Sequence, residues 1–253
     1  MYITVNDQQI YYQKLGKGKD LVMLHGWAND VSSFWQVAEE LKDDFTVWLI
    51  DLPGFGRSEM PTRPFTLSDY AETVYQFLKE MKLEKPVILG HSHGGRTTIK
   101  LVSQYPEVAE KIILEDAAGI RPKKDTTFYI LYVASKLFNF LLPEVWLFNK
   151  LRNRVRYWFY KDLESDYLYA GELKKTLVNV IKEDLSSDIK KIKNETLLIW
   201  GEKDRNVESD MTVARKMYKW ISKSRLEVIE EAGHHPHIDN PKMFVYWVKD
   251  FAL

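Results

Sequence analysis

The sequence predicts an α/β fold in which about eight strands form a mostly parallel sheet with helices on both faces. Two patterns predict it: short apolar runs rich in β-branched residues recur along the chain, and helix-compatible segments separate most of them. The third observation is size. A chain of 253 residues, 45% hydrophobic and 13% aromatic, can bury one sizeable core, so it reads as a single domain spanning 1–253.

Residues 2–5 and 9–15 lie close together around Asn6-Asp7 and predict an antiparallel hairpin at the sheet edge. Runs at 20–25, 45–51, 86–91, 111–116, 196–201 and 225–230 predict six buried strands. Across 66–81, Leu67, Tyr70, Ala71, Val74, Phe77, Leu78 and Met81 recur at helical spacing, and Thr66 with Asp69 offers a capping box. The alternation breaks between Gly119 and about Ser187, where no strand-like run occurs and aromatics such as Phe128, Tyr132, Trp146 and Trp158 crowd together. This stretch, 119–187, is expected to be a helical cap inserted in the domain, its apolar underside closing over a pocket.

Charge narrows the partners. Lys plus Arg and Asp plus Glu both total 36, so the net charge is zero and no global field draws nucleic acid or an anionic membrane. Arg152, Arg154 and Arg156 then read as a solvated helix face, and the expected partner is a small molecule. The absence of cysteine removes disulfides, thiolate catalysis and cysteine-ligated zinc or iron–sulfur sites. The chain opens without the basic start and apolar run of a secretory signal, and no stretch reaches the roughly 18 apolar residues of a membrane span. A cytoplasmic protein without membrane insertion, monomeric or homodimeric, is the expectation.

Gly90-His91-Ser92-His93-Gly94-Gly95 follows the apolar run Pro86-Val87-Ile88-Leu89 and precedes a helix-compatible stretch ending near Tyr105-Pro106. A serine between strand and helix in this setting sits on a sharp, strained turn, and Gly90 and Gly94 relieve the crowding on either side. The turn exposes the hydroxyl as a nucleophile. It also aims the N-terminus of the following helix at the position where an oxyanion forms, which makes the backbone N–H of His93 a candidate donor.

A serine needs a positioned base, usually a histidine held by a carboxylate. The six histidines are His25, His91, His93, His234, His235 and His237. His91 and His93 flank the serine on its own turn and point away from its hydroxyl, and His25 closes a strand before Gly26. The base is therefore sought among His234, His235 and His237, in a loop after the final strand.

Five segments together resemble the α/β-hydrolase fold superfamily, in its capped branch of esterases and related hydrolases. They are His25-Gly26-Trp27, Asp51-Leu52-Pro53-Gly54-Phe55-Gly56-Arg57-Ser58, the turn at Ser92, Trp200-Gly201-Glu202-Lys203-Asp204, and Ala232-Gly233-His234, and they cover nearly the whole chain in the family's order. The resemblance implies His234 as base, with His235 and His237 as packing or supporting neighbours. It implies Asp204 as the acid, with Asp116, beside Glu115 at the end of the preceding strand, as the alternative some relatives use. It also implies the backbone N–H of Trp27 as the second oxyanion donor, His25 as a buried loop organiser, and Asp51 and Arg57 as parts of a structural turn. The expected catalytic set is thus Ser92, Asp204 and His234, with no cofactor.

Two other chemistries fit the residues less well. Gly54-Phe55-Gly56 lacks the third glycine of a dinucleotide-binding turn, which would fall at Glu59. The pairs His91/His93 and His235/His237 have spacings a metal could use, but the serine turn and His234 already account for both neighbourhoods. The expected reaction is hydrolysis of a small or medium acyl ester through an acyl-enzyme. Carbon–carbon bond, thioester or lactone hydrolysis with the same triad is the alternative, and a small-ligand receptor or stress sensor retaining the triad is the alternative outside enzymes. Serine at the turn separates the chain from dehalogenases and epoxide hydrolases, whose family members attack with an aspartate.

Overall fold

The computed structural model describes residues 1–121, 170–206 and 208–253. The expected cap, 119–187, lies outside these residues except at its two ends.

Eight strands, β1 (Tyr2–Val5), β2 (Gln8–Gly16), β3 (Lys19–Leu24), β4 (Phe45–Ile50), β5 (Val87–His91), β6 (Lys111–Glu115), β7 (Glu195–Gly201) and β8 (Ser224–Ile229), form one sheet in the order β1-β2-β4-β3-β5-β6-β7-β8. β1 and β2 pair antiparallel, as do β2 and β4, and every other pairing is parallel. The hairpin closes with Val5 opposite Gln8, and Asn6 and Asp7 both take positive φ, 50° and 60°. Two left-handed residues make the tight turn whose twist matches the strands, and asparagine and aspartate tolerate that region better than most residues.

The eight helices among the described residues are α1 (Trp35–Leu41), α2 (Leu67–Glu80), α3 (His93–Gln104), α4 (Lys174–Lys182), α5 (Ser186–Ile189), α6 (Met211–Trp220), α7 (Pro236–Asp239) and α8 (Pro241–Ala252). They cover both faces of the sheet, and strand side chains divide between two cores by simple alternation. Val22, Leu24, Ile88, Ile112, Leu114, Leu198 and Trp200 face α2, α3, α4 and α6. Leu21, Met23, Leu49, Leu89, Ile113, Leu197 and Ile199 face α1 and α8. Coverage on both sides explains why the central strands read as continuous apolar runs. A buried side chain such as Phe244 on α8, 0% exposed, contributes about 2–3 kcal/mol by leaving water.

α2 starts one residue after Thr66, whose hydroxyl accepts from the Asp69 backbone N–H while the Asp69 carboxylate accepts from that of Thr66. The end of the expected cap is anchored to the first core through Leu173, Leu177, Val180 and Leu185, and the Leu185 N–H donates to Gly119 O at 2.8 Å. No helix among the described residues is long and apolar enough to cross a membrane.

Candidate active site

Parallel strands deliver their C-terminal ends to one edge of the sheet, and the loops that leave that edge form the natural place for a site. The loops after β3, β5, β6, β7 and β8 carry Trp27, Ser92, Asp116, Asp204 and His234 in turn.

β5 ends at His91, α3 begins at His93, and Ser92 between them has φ 49° and ψ −107°. Such a backbone costs on the order of 1–3 kcal/mol for a residue with a side chain, so its surroundings must hold it. They do so through the Ser92 N–H, which donates to Glu115 O at 3.0 Å, and the Arg96 N–H, which donates to Ser92 O at 3.0 Å. Packing allows no bulk nearby, since a Cβ on Gly94 would lie 2.0 Å from Leu24 O and 2.8 Å from His25 O.

The Ser92 hydroxyl donates to His234 Nε2 at 3.1 Å, and His234 Nδ1–H donates to Asp204 Oδ2 at 3.1 Å. Asp204 Oδ2 also accepts from the Ser209 hydroxyl at 2.7 Å, and its Oδ1 accepts from the Asn206 N–H at 2.9 Å. Burial alone would raise the Asp204 carboxyl, but these donors, His234 foremost, hold it below its usual value. The arrangement keeps a proton on Nδ1 and leaves Nε2 to accept from the serine.

The sequence-predicted oxyanion donors belong to the two backbone segments next to Ser92. The N–H of His93 opens α3 and lacks a helical partner by position. The Gly26-Trp27 backbone lies against the turn, close enough that a Cβ on Gly26 would stand 3.4 Å from Ser92 Cβ. The rings of Trp27 and His93 meet edge to face at 5.2 Å, with Phe55 and Tyr70 beside them. Among the described residues neither ring nitrogen of His93 has a hydrogen-bond partner, so its side chain takes no part in the Ser92 relay. His25 Nε2 accepts from the Leu52 N–H at 2.9 Å and Nδ1–H donates to Gly26 O at 2.7 Å, which ties the loops after β3 and β4 together. Asp51 accepts from the N–H groups of Val31 and Arg57, closing the turn around Gly56.

Several contacts that hold the site are invisible to local sequence. His91 Nε2–H donates to the backbone carbonyl of His234 at 2.8 Å. Glu115 Oε1 accepts from both the backbone N–H (2.9 Å) and the ring Nδ1–H (2.7 Å) of His237, with both side chains 0% exposed. Two strand ends therefore grip the loop that carries His234. On the other side, Arg96 of α3 donates to Glu208 at 2.6 Å, linking the serine's helix to the loop of Asp204. The first of the metal-like pairs is split, since His91 faces His234, His235 and His237 whereas His93 faces Trp27, Phe55 and Tyr70. His235 and His237 lie side by side with ring centroids 5.9 Å apart.

Burial pushes His25 below the ordinary histidine value and His91 and His93 well below it. Burial and the neighbouring His234 and His237 push His235 down to about 4. Each stays neutral in the fold and takes up a proton once unfolded, so its stabilisation is present above pH 6.5 and is lost as pH falls toward the folded-state values. Each group steepens that loss by up to about 1.4 kcal/mol per pH unit. Asp116, raised well above 3.8 by burial and then by Asp204, acts in the opposite sense, one group against four. The urea midpoint is expected to drop clearly between pH 7 and pH 5. An unchanged midpoint would contradict this.

Comparison with known proteins identifies the family and the fold. A family model described as the alpha/beta hydrolase family matches residues 21–245. A Bacillus subtilis protein named as an uncharacterized hydrolase is 27% identical, with 98% of this chain and 96% of the relative covered. The pimeloyl-[acyl-carrier protein] methyl ester esterase of Nitrosospira multiformis is 29% identical over 96% of this chain and 98% of its own length. Among solved structures, an esterase from Exiguobacterium antarcticum superposes with a TM-score of 0.77 at 24% identity, covering 100% of this chain and 98% of that one.

Proposed function

The chain belongs to the alpha/beta hydrolase family, and on that premise we propose that it is a serine hydrolase that cleaves carboxylic esters of small or medium acyl groups through an acyl-enzyme. The observation that carries the reading is the unbroken hydrogen-bond chain from Ser92 through His234 to Asp204, 3.1 Å at each step. The similarity to an ester-cleaving relative along nearly its whole length supports an ester as the substrate class.

In this reading Ser92 Oγ attacks the ester carbonyl while His234 Nε2 removes the hydroxyl proton. The charge that builds on the carbonyl oxygen meets the N–H groups of Trp27 and His93. Donors fixed in advance at that position are worth roughly 3–4 kcal/mol each in the transition state. The imidazolium of His234, stabilised by Asp204, then gives its proton to the departing alcohol. In the second half His234 takes a proton from water, the hydroxide attacks the acyl carbon, and Ser92 Oγ leaves and regains its proton. Both proton transfers belong to His234, so no cofactor is needed. In the proposed enzyme residues 1–253 are one hydrolase domain, and 119–187, which lies mostly outside the described residues, is its proposed cap.

A panel of activated esters of increasing acyl length tests the reading. Many turnovers per molecule are expected, with a length preference that measures the pocket. Little more than one catalytic event per molecule would overturn it in favour of a triad-bearing receptor.

A further inference from the structure

Asp116, the first residue past β6, is a second carboxyl group at the same site. It is 0% exposed and sits at φ 37°, a left-handed backbone that aspartate tolerates better than most residues. Its own N–H donates to Ile199 O at 3.0 Å, which anchors it to β7. The Gly201 N–H meets its two carboxyl oxygens at 3.2 and 3.3 Å. One oxygen each from Asp116 and Asp204 and a ring nitrogen of His234 lie within 4.8 Å of one another. Asp116 faces Asp204 from the loop after β7, His234 from the loop after β8, and Glu115 on its own strand, with Glu115 bound to His237 of α7.

Two buried carboxyl groups with an oxygen of each within 4.8 Å cannot both ionise without severe repulsion, so one keeps its proton and can give it to the other as a hydrogen bond. Asp204 has the donors that stabilise a carboxylate: His234 Nδ1–H, the Ser209 hydroxyl and the Asn206 N–H. Asp116 has a single backbone donor and sits in full burial, and its carboxyl is raised well above the usual range by that burial and by the Asp204 charge. The proton therefore belongs on Asp116.

We propose that Asp116 is a positioning residue of the triad, a protonated carboxyl that donates to Asp204 in the resting enzyme and becomes the anion facing His234 when Asp204 is neutralised. In the second state Asp116 releases its proton to solvent and accepts from His234 Nδ1–H. The inference rests on the proposed triad.

The test compares Asp204→Asn, Asp116→Asn and the double variant on one activated ester, with Ser92→Ala alongside. An asparagine acid normally costs about 10⁴ in kcat. Here Asp204→Asn is expected to lose about 10²-fold at neutral pH, to recover as pH rises and Asp116 ionises, and to fall by about a further 10²-fold when Asp116→Asn is added. Equal rates for Asp204→Asn and the double variant, or an unshifted pH profile in Asp204→Asn, would overturn the proposal. If Ser92→Ala keeps wild-type activity, the triad itself fails, a separate result. An infrared spectrum of the wild-type protein at pH 7 decides the resting state even if a variant does not fold. A protonated carboxyl band is expected, and its absence would overturn the proposal.

Discussion

Ser92→Ala is expected to lower kcat toward activated esters by about 10⁶-fold while leaving the protein folded. The rate effect is large because no neighbouring group can replace the hydroxyl. His234 Nε2 sits 3.1 Å from Ser92 Oγ, and the other histidines near the turn are occupied elsewhere or partnerless. The stability effect is small because the change deletes one oxygen from a side chain that is already 6% exposed. Alanine must adopt the same left-handed backbone as serine, so the strain of the turn is unchanged. Residual activity above water, on the order of 10³-fold, would come from the oxyanion donors and substrate binding alone. Initial rates with a short acyl ester and a thermal melt measure both parts, and wild-type rates in the variant would remove Ser92 from the mechanism.

Glu115→Ala is expected to destabilise the protein by about 4 kcal/mol. The carboxylate accepts from the backbone and ring N–H groups of His237, and each buried donor left without an acceptor costs about 1–3 kcal/mol. A cavity in the core beneath α7 adds to that. Glu115→Gln keeps an oxygen for both donors and should cost less than half as much. Because the same contact steadies the loop carrying His234, the alanine variant should also lose activity at temperatures where it remains folded. Urea titration of the two variants measures the difference, and equal midpoints would show that the contact to His237 contributes little.

The sheet was legible because its chemistry is local. A strand covered on both faces needs an unbroken apolar run, and all six runs lie within one residue of the strands observed. Only five are the buried strands expected: β8 is the sheet's edge, and apart from Ile229 its residues are half-buried or exposed. The hairpin's second strand is longer than its apolar pattern, Gln8–Gly16 against 9–15, because ladder bonds to β4 extend pairing through Gly16 opposite Thr46. Ser92 could be read from one turn for the same reason. Its partners could not, being 142 residues away in the case of His234, and only the likeness to a family supplied His234 and Asp204 in advance. The contacts that brace them, His91 to the His234 carbonyl and Glu115 to His237, span 143 and 122 residues. They arise from placing β5, β6, β7 and β8 side by side, which periodicity does not encode. Asp116 was visible as an alternative acid, but that it faces Asp204 and His234 together follows only from that strand order.

The central claim is that Ser92 is the group acylated during turnover, and a phosphonate ester that reacts with activated serines tests it most directly. After incubation with the wild-type protein and proteolysis, mass spectrometry should find one phosphonyl group per chain, on the peptide carrying Ser92, in proportion to activity lost. Ser92→Ala should remain unmodified. A label on another residue, or continued ester hydrolysis by protein fully modified at Ser92, would contradict the account.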